Sequence, residues 1–328
     1  MISIVMPMRN AIPYLNECIT SIINQSYTDW ELIVINDHST DSSFDVLTEF
    51  ASQDNRISVY NATGKGIIDA LQLAYSKTTG TYISRMDADD IMPEQKLDLM
   101  YNQLLKTPNS VVTGKIKYIG ENLRDGYRKY EDWMNTMMEN HTHYEHMYRE
   151  CVIPSPAWMA SRDLFERVGG FTSNTYPEDY DLTLRFYKAN IPIVAVKELV
   201  HIWRDYQERT SRNDPNYSVN SFEVLKTQYF VDVDYDKSKT LVLWGAGKKG
   251  KKIAQLLIEH AIPFIFACNN PKKINKDIYG MMMENIETIF DKQTTYQTII
   301  AVANPEEQFE IKTTLTNELP NVQPYWFC

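Results

Sequence analysis

Residues 81–90 read Thr-Tyr-Ile-Ser-Arg-Met-Asp-Ala-Asp-Asp, an apolar run followed by three carboxylates. The run Thr81-Tyr82-Ile83 predicts a buried strand, and acids this close together raise each other's pKa unless a cation lies among them. Carboxylate oxygens suit hard ions such as Mg²⁺ and Mn²⁺. Asp87, Asp89 and Asp90 therefore indicate either a divalent metal site or a solvated acidic turn at a helix start. These residues alone do not favour one over the other.

Strands and helices alternate on the amino-terminal side of this stretch and through it. Strand composition is found at residues 2–6, 31–35, 57–60 and 82–86, and helical spacing of apolar residues at 11–24, 44–52 and 66–78. This alternation predicts an open α/β sheet, which binds ligands beyond the carboxyl ends of its strands. Asp37 and the acids at 87–90 each follow a strand, so we expect them to face one crevice.

Composition limits the class of protein. The chain has 328 residues, enough for two domains, and its 43% hydrophobic and 23% charged residues are typical of a globular protein. A net charge of −10 argues against nucleic-acid binding and against a polybasic membrane patch. No run approaches the roughly 20 apolar residues of a spanning helix, and the start has no cationic leader. We expect a cytoplasmic protein, with peripheral attachment at the inner face of the membrane left open.

The middle of the chain continues with mixed elements. Residues 110–118 read as a strand and 127–150 as a long helix, whose His141, His143 and His146 lack the partners of a zinc site and are expected to be solvated. Glu178 and Asp179 open an amphipathic helix. Residues 193–196 and 198–203 read as strands, followed by a polar arm at 204–217 and a helix near 221–231.

A second α/β pattern follows a charged linker. We predict domains at residues 1–231 and 240–328 with the linker at 232–239, the second domain being small and doubly wound. Its Gly245, Gly247 and Gly250 have the strand–turn–helix context of a dinucleotide fingerprint, but Asn269 and Asn270 stand where a ribose-binding acid would be. A structural or oligomerisation role, nucleotide or nucleotide-sugar binding, and NAD redox chemistry all stay open for this domain.

Five motifs occur in an order and at spacings that resemble family 2 glycosyltransferases of the GT-A fold. They are IVMPMRNAIPYL, ELIVINDHSTD, GKGIIDALQLAYSKTTGTYISRMDADD, GGF and PEDYDLTLRF. The resemblance implies a GT-A domain with a mixed central sheet. It also implies inverting transfer of a sugar from a nucleotide-sugar donor, usually UDP-linked, to a hydroxyl of a saccharide or lipid-linked saccharide in surface polysaccharide assembly. More weakly, the last domain resembles the Rossmann-like domain fused to some bacterial glycosyltransferases and sugar acyltransferases.

The resemblance carries roles onto individual residues. It implies that Pro7 and Asn10, with Arg9 between them, border the nucleotide pocket and that Asp37 contacts the base. Asp87 and Asp89 would hold Mn²⁺ or Mg²⁺ on the diphosphate, and Asp179 would be the general base, with Glu178 beside it as the other candidate catalytic acid.

The chemistry of the transfer supports these roles from the residues alone. A departing diphosphate gains negative charge, which a metal ion on Asp89 and Asp87 would stabilise, with Arg85 and Lys65 as further cations. The positive end of the helix that Glu178 and Asp179 open would keep a carboxylate base ionised. Each residue also has a plainer interpretation. Asp37 fits an Asx-turn, Glu178 and Asp179 fit a helix cap, and the two cations could be ordinary surface charges.

Departures from the family pattern also occur. Arg9 stands where many relatives carry Tyr, and Tyr206 stands where many carry His, which puts a metal or phosphate contact from that position in doubt. Arg204, Arg209 and Arg212 could clamp a diphosphate or form a solvated loop.

Two other functions remain open besides glycosyl transfer, namely a non-catalytic nucleotide-sugar sensor and an NAD-dependent oxidoreductase.

Overall fold

A computed structural model describes residues 1–121, 123, 125–207, 209, 219–291 and 293–328. The candidate clamp residue Arg212 lies outside this described part. The chain divides into two compact units, the first containing residues 1–144 and 152–214 and the second residues 145–151 and 215–328.

The first unit alternates strands with helices as predicted. Its strands are β1 (Ile2–Met8), β2 (Trp30–Asn36), β3 (Ile57–Asn61), β4 (Tyr82–Arg85), β5 (Val111–Ile119), β6 (Trp158–Ser161) and β7 (Ile193–Arg204). Its helices are α1 (Ile12–Ile23), α2 (Ser43–Gln53), α3 (Ile67–Ser76), α4 (Lys96–Lys106), α5 (Asp125–Asn140), α6 (Arg162–Arg167) and α7 (Glu178–Lys188).

These strands form one seven-stranded sheet in the order β3-β2-β1-β4-β6-β5-β7. Strand β6 runs antiparallel to both of its neighbours, and the other pairs are parallel, which confirms the predicted mixed central sheet. Strands β1 and β2 are buried along almost their whole length, as expected for parallel strands covered on both faces. The chain around β1, β2 and β4 is therefore a rigid platform for the loops at their carboxyl ends.

Three predictions for the middle of the chain are wrong. The helix predicted at 127–150 ends at Asn140, because His141 adopts a left-handed backbone conformation (φ 57°) that an α-helix cannot continue through. His143, expected to be solvated, is buried. The two strands predicted at 193–196 and 198–203 form the single strand β7, whose pairing with β5 shifts register next to Gly114.

The second unit contains its own parallel sheet. Its strands are β8 (Thr240–Trp244), β9 (Ile265–Cys268), β12 (Glu284–Asn285), β13 (Tyr296–Ile300) and β14 (Val322–Trp326), with a small hairpin of β10 (Asp277–Ile278) and β11 (Met281–Met282). The sheet order is β12-β9-β8-β13-β14. Counted along the chain this is 3-2-1-4-5, the order of a doubly wound dinucleotide-binding sheet.

The helices of the second unit are α8 (Val219–Tyr229), α9 (Lys248–Glu259) and α10 (Pro305–Glu318), with a π-helical turn at Phe230–Asp234. Helix α8 packs against α9. Helix α8 lies in the second compact unit. The domain bounds at 1–231 and 240–328 stay a prediction. None of the helices in the described ranges is both long and apolar enough to cross a membrane.

Candidate active site

The carboxyl ends of three parallel strands meet at one edge of the first sheet. The register pairs Met8 of β1 with Asn36 of β2, and Val5 of β1 with Arg85 of β4. Asp37 directly follows β2 and Asp87 follows β4 by one residue, Met86. The structure therefore brings the candidate nucleotide residues and the candidate metal residues to the same edge, which is where such sheets bind ligands.

Arg85 links this edge to the start of α7. Its guanidinium is buried and donates to Oδ1 of Asp87 through Nε and to Oε1 of Glu178 through NH1, both at 3.0 Å. Glu178 is also buried. A buried carboxylate held by a buried guanidinium is stabilised in its charged form and fixed in place. Glu178, predicted to be catalytic, is thus engaged in an ion pair, and its neighbour Asp179 is the more available acid.

Asp179 has the properties of a general base. It is half-buried, and its Oδ1 accepts a hydrogen bond of 2.8 Å from the backbone N–H of Tyr180. Burial, followed by the charge of Glu178, raises the pKa of Asp179 to about 7, against the opposing charge of Arg85. From the sequence we expected the positive end of the helix to lower the pKa of this acid and keep it ionised. Burial and the charge of Glu178 have the larger effect. A carboxyl group with a pKa near the working pH is well suited to accept a proton from a substrate.

Asp89 contacts Tyr206, the residue that stands where many relatives carry His. Its Oδ2 accepts a hydrogen bond of 2.8 Å from the Tyr206 hydroxyl and lies 4.0 Å from Nε of Arg209. The Tyr206 ring packs on that of Tyr14 with centroids 4.8 Å apart. Burial and the neighbouring charges of Asp90 and Asp87 raise the pKa of Asp89 to about 7. Tyr206 therefore contacts the same acid that a metal would need.

Asp90 holds the loop in place rather than facing the site. It is fully buried, its Oδ1 accepts a hydrogen bond of 2.8 Å from the backbone N–H of Arg204, and its Oδ2 pairs with Nε2 of His201 at 2.9 Å. Burial raises the pKa of Asp90 and lowers that of His201. Both oxygens of Asp90 are thus used to tie the loop after β4 to strand β7. Sequence reasoning missed His201, because nothing local marks a partner 111 residues away.

The donor set formed by Asp87 and Asp89 fits a hard divalent cation. Their side chains keep 19% and 20% of their accessible surface, and their hydrogen bonds in the described part of the chain use Oδ1 of Asp87 and Oδ2 of Asp89. Burial is the main cause of the raised pKa of Asp89, and the charges of Asp90 and Asp87, which a bound cation would offset, add to it. Across the described residues, no group of three or more His, Cys, Asp or Glu side chains could hold a metal. A site with the two carboxylates of Asp87 and Asp89 suits an ion that completes its coordination shell with diphosphate and water.

The loops after β1 and β2 are joined by polar contacts. Asn10 donates from its backbone N–H to Ser39 Oγ at 3.0 Å and accepts at Oδ1 from the backbone N–H of Thr40 at 2.8 Å. Asp37 is buried, and its Oδ2 accepts a hydrogen bond of 3.0 Å from the backbone N–H of Gly66. Gly66 has φ 94°, a conformation that favours glycine.

The remaining candidate residues lie on the same loops. Pro7 is half-buried within β1, and Arg9 is exposed just after it. Lys65 is exposed and precedes Gly66, with its backbone N–H donating to Oδ2 of Asp69 at 2.9 Å. The exposed cations Arg9 and Lys65 are therefore placed to meet a solvent-borne anion.

Lys96 is a charged residue that sequence reasoning did not single out. It is fully buried at the start of α4, and its Nζ donates to the backbone oxygen of Pro156 at 2.6 Å. Burial lowers the pKa of Lys96 to about 7, although the charges of Asp87 and Asp90 act in the opposite direction. A lysine at a helix start is usually solvated, so the sequence contains no signal for this placement.

Comparison of the sequence with known proteins identifies its family and several relatives. The family model described as glycosyl transferase family 2 matches residues 3–169. The glycosyltransferase GlyG of Streptococcus pneumoniae is 29% identical over 216 residues, which cover 62% of this chain and 70% of GlyG. The Escherichia coli UDP-Glc:alpha-D-GlcNAc-diphosphoundecaprenol beta-1,3-glucosyltransferase WfgD is 33% identical over 123 residues, 37% of this chain and 48% of WfgD.

Solved structures share the fold. S. aureus TarS 1-349 in complex with UDP-GlcNAc superposes with a TM-score of 0.57 at 16% identity, covering 79% of this chain and 72% of TarS. The mannosyltransferase PcManGT from Pyrobaculum calidifontis, in complex with GDP-Man and Mn²⁺, gives a TM-score of 0.51 at 16% identity, covering 79% of this chain and 68% of PcManGT.

Proposed function

The chain belongs to glycosyl transferase family 2, and from this membership we propose that it transfers a sugar, with inversion, from a nucleotide-sugar donor to an acceptor hydroxyl. The family match selects glycosyl transfer from the three functions that the sequence left open. The donor is proposed to be UDP-linked and the acceptor a saccharide or lipid-linked saccharide of surface polysaccharide assembly. The names of WfgD, with a UDP-Glc donor and a diphosphoundecaprenol-linked acceptor, and of the TarS complex with UDP-GlcNAc support this choice.

The observation that carries the proposal is the pair of ion pairs that buried Arg85 makes, with the partly exposed Asp87 and with buried Glu178. It connects the loop that carries Asp87 and Asp89 to the residue immediately before Asp179. A displacement reaction needs charge stabilisation at the leaving group and a base at the attacking hydroxyl. One buried arginine holds the two elements that would supply these functions.

Asp179 is the proposed base. The acceptor hydroxyl gives its proton to the Asp179 carboxylate as its oxygen bonds to the anomeric carbon, and the bond from that carbon to the diphosphate breaks. The pKa of about 7 allows Asp179 to be ionised before the reaction and still accept a proton during it. Glu178, held by Arg85, positions Asp179 and keeps its pKa raised.

Asp87 and Asp89 would hold Mn²⁺ or Mg²⁺, which supplies Lewis-acid stabilisation of the diphosphate's developing charge. The Mn²⁺ complex of PcManGT supports the use of a divalent metal. Asp37 and the loop of Pro7, Arg9 and Asn10 are proposed to bind the nucleoside, and Lys65 the phosphates.

The test measures nucleoside diphosphate release from a panel of UDP- and GDP-sugars with Mn²⁺ and a diphospholipid-linked saccharide. We expect turnover with at least one donor, and an Asp179→Asn variant about 10²–10⁴-fold slower in kcat with UDP binding unchanged. The matched control is Asp181→Asn in the same helical turn, where Asp181 pairs with Arg185 at 2.9 Å and should not affect kcat. Full turnover by Asp179→Asn would exclude it as the base, and no turnover with any donor would exclude the proposed reaction.

A further inference from the structure

A cavity of about 410 Å³ lies at the carboxyl edge of the second unit's sheet. It is lined by the glycine turn that follows β8 and by the segment that follows β13. Strand β8 is linked through α9 to β9 on one side, and β13 is linked through α10 to β14 on the other. The cavity therefore lies where the strand order reverses, the usual ligand position in an open parallel sheet.

Packing accounts for two of the three glycines in the turn. A Cβ on Gly250 would lie 1.9 Å from the backbone oxygen of Gly245, and a Cβ on Gly245, which has φ 127°, would lie 2.7 Å from the backbone oxygen of Ala301. Gly247 differs, because its φ of −74° suits any residue and its Cβ would meet nothing within 4 Å. The fold does not require glycine at 247, and the space that its missing side chain leaves belongs to the cavity.

The helix that starts beside Gly247 has no side-chain cap, and of the two lysines in its first turn Lys249 lies 3.9 Å from Oε1 of Glu223. The first turn of this helix, α9, contains Lys248 and Lys249 but no acid. The first backbone N–H groups of an α-helix have no acceptor within the helix, and they attract anions together with the helix dipole. Lys273 also lines the cavity, and its Nζ donates to the backbone oxygen of Ala246 at 2.7 Å, which fixes the turn.

The opposite side of the cavity is closed to a second anion. Helix α10 begins there, and Oδ1 of its cap residue Asn304 accepts from the backbone N–H groups of Glu306 and Glu307 at 2.8 and 3.1 Å. The Glu307 carboxylate lines the same side. The cavity thus has one anion-attracting end and one acidic, already capped end.

The end of β9 argues against a dinucleotide. Sheets of this order place an acid there to bind the adenosine ribose of NAD. Here Asn269 and Asn270 follow the strand, and their side-chain oxygens accept from Trp244 Nε1 and the backbone N–H of Lys272, both at 3.0 Å. The cavity has one end that attracts a phosphate group, and no acid follows β9 to bind a second ribose. It therefore suits a single nucleotide rather than a dinucleotide.

We propose that this cavity binds the diphosphate of a nucleoside diphosphate or of its sugar ester, at the turn formed by Gly247 and Lys248. This second site is independent of the transfer reaction proposed for the first unit. It would let the protein respond to the concentration of a nucleotide at a site where no transfer takes place.

Photolabelling of the full chain, followed by peptide mapping, separates the two units directly. Azido-UDP and azido-ADP are the probes, and we expect a labelled peptide within residues 240–304. Gly247→Leu should abolish that label by filling the space, and Lys248→Glu should raise the probe concentration for half-labelling at least about tenfold. The matched control Lys252→Glu lies on the same helix outside the cavity lining and should change nothing.

Competition identifies the source of the diphosphate. UDP, ADP or a UDP-sugar should displace the label at lower concentrations than NAD or inorganic pyrophosphate. The proposal is overturned if neither probe labels the second unit, if Lys248→Glu and Lys252→Glu label equally, or if NAD is the best competitor. Labels on the first unit and transfer activity are recorded in the same samples, so failure of this site is distinguishable from failure of the proposed reaction.

Discussion

Arg85 and Glu178 form a buried ion pair of 3.0 Å although 93 residues separate them in the chain. The pair joins the end of β4 to the first residue of α7. Through it, the loop of Asp87 and Asp89 and the proposed base Asp179 are positioned by the same guanidinium. A change at Arg85 should therefore affect stability, leaving-group stabilisation and base strength together.

Replacing Arg85 with Met should destabilise the protein by about 3–5 kcal/mol, because it removes the buried guanidinium that pairs with the buried Glu178 carboxylate. Urea unfolding measures the effect. The control Lys115→Met removes the partner of Glu139 from a pair that is 30% and 55% exposed, and should cost no more than about 1 kcal/mol. A loss at Arg85 as small as that of the control would show that the buried pair is not required.

The rate of transfer should depend on pH through Asp179. The base acts when deprotonated and its pKa is raised to about 7, so kcat/KM should fall about tenfold per pH unit below that value and level off above it. The profile is measured at saturating Mn²⁺, between about pH 5.5 and 9. A profile that is flat across pH 7 would contradict the assignment of Asp179 as the base.

Stability should also depend on pH through Asp179. Its pKa is higher in the folded protein than the ordinary aspartate value, so its favourable contribution is complete below the unfolded pKa and is lost as pH rises through about 7. Asp179→Asn should therefore raise the free energy of unfolding at alkaline pH, by about 1–2 kcal/mol after allowance for solvent screening. An aspartate that only capped α7 would give the opposite result, a loss on substitution.

Two neighbouring aspartates should respond differently to substitution. Asp89→Asn should weaken Mn²⁺-dependent UDP binding at least about tenfold and leave the fold intact, because Asp89 faces the site.

Asp90→Ala should lower the free energy of unfolding by about 2–4 kcal/mol, because Arg204 N–H and His201 lose their buried partner. Calorimetric Mn²⁺–UDP titration and urea unfolding of both variants measure the two effects. If Asp90→Ala weakens metal binding without loss of stability, the two roles have been assigned the wrong way round.

Much of the architecture can be predicted from local pattern. The apolar runs of β1, β2 and β4 predict strands because buried parallel strands need apolar residues on both faces. The same runs locate Asp37 and Asp87 at strand ends, and the carboxyl ends of parallel strands share one edge. The boundary errors, such as the end of α5 at Asn140, arise where a single backbone torsion interrupts a helical pattern that composition alone would continue.

The sequence by itself determined the order of strands and helices, the acids at the strand ends and the two α/β patterns, because these depend on neighbours within a few residues. The tertiary structure alone decided which charges meet. It paired Arg85 with Glu178 and Asp90 with His201, buried Lys96, and moved the pKa of Asp179 to about 7. Those outcomes depend on desolvation and on contacts between segments about 100 residues apart, and neither is encoded in local spacing.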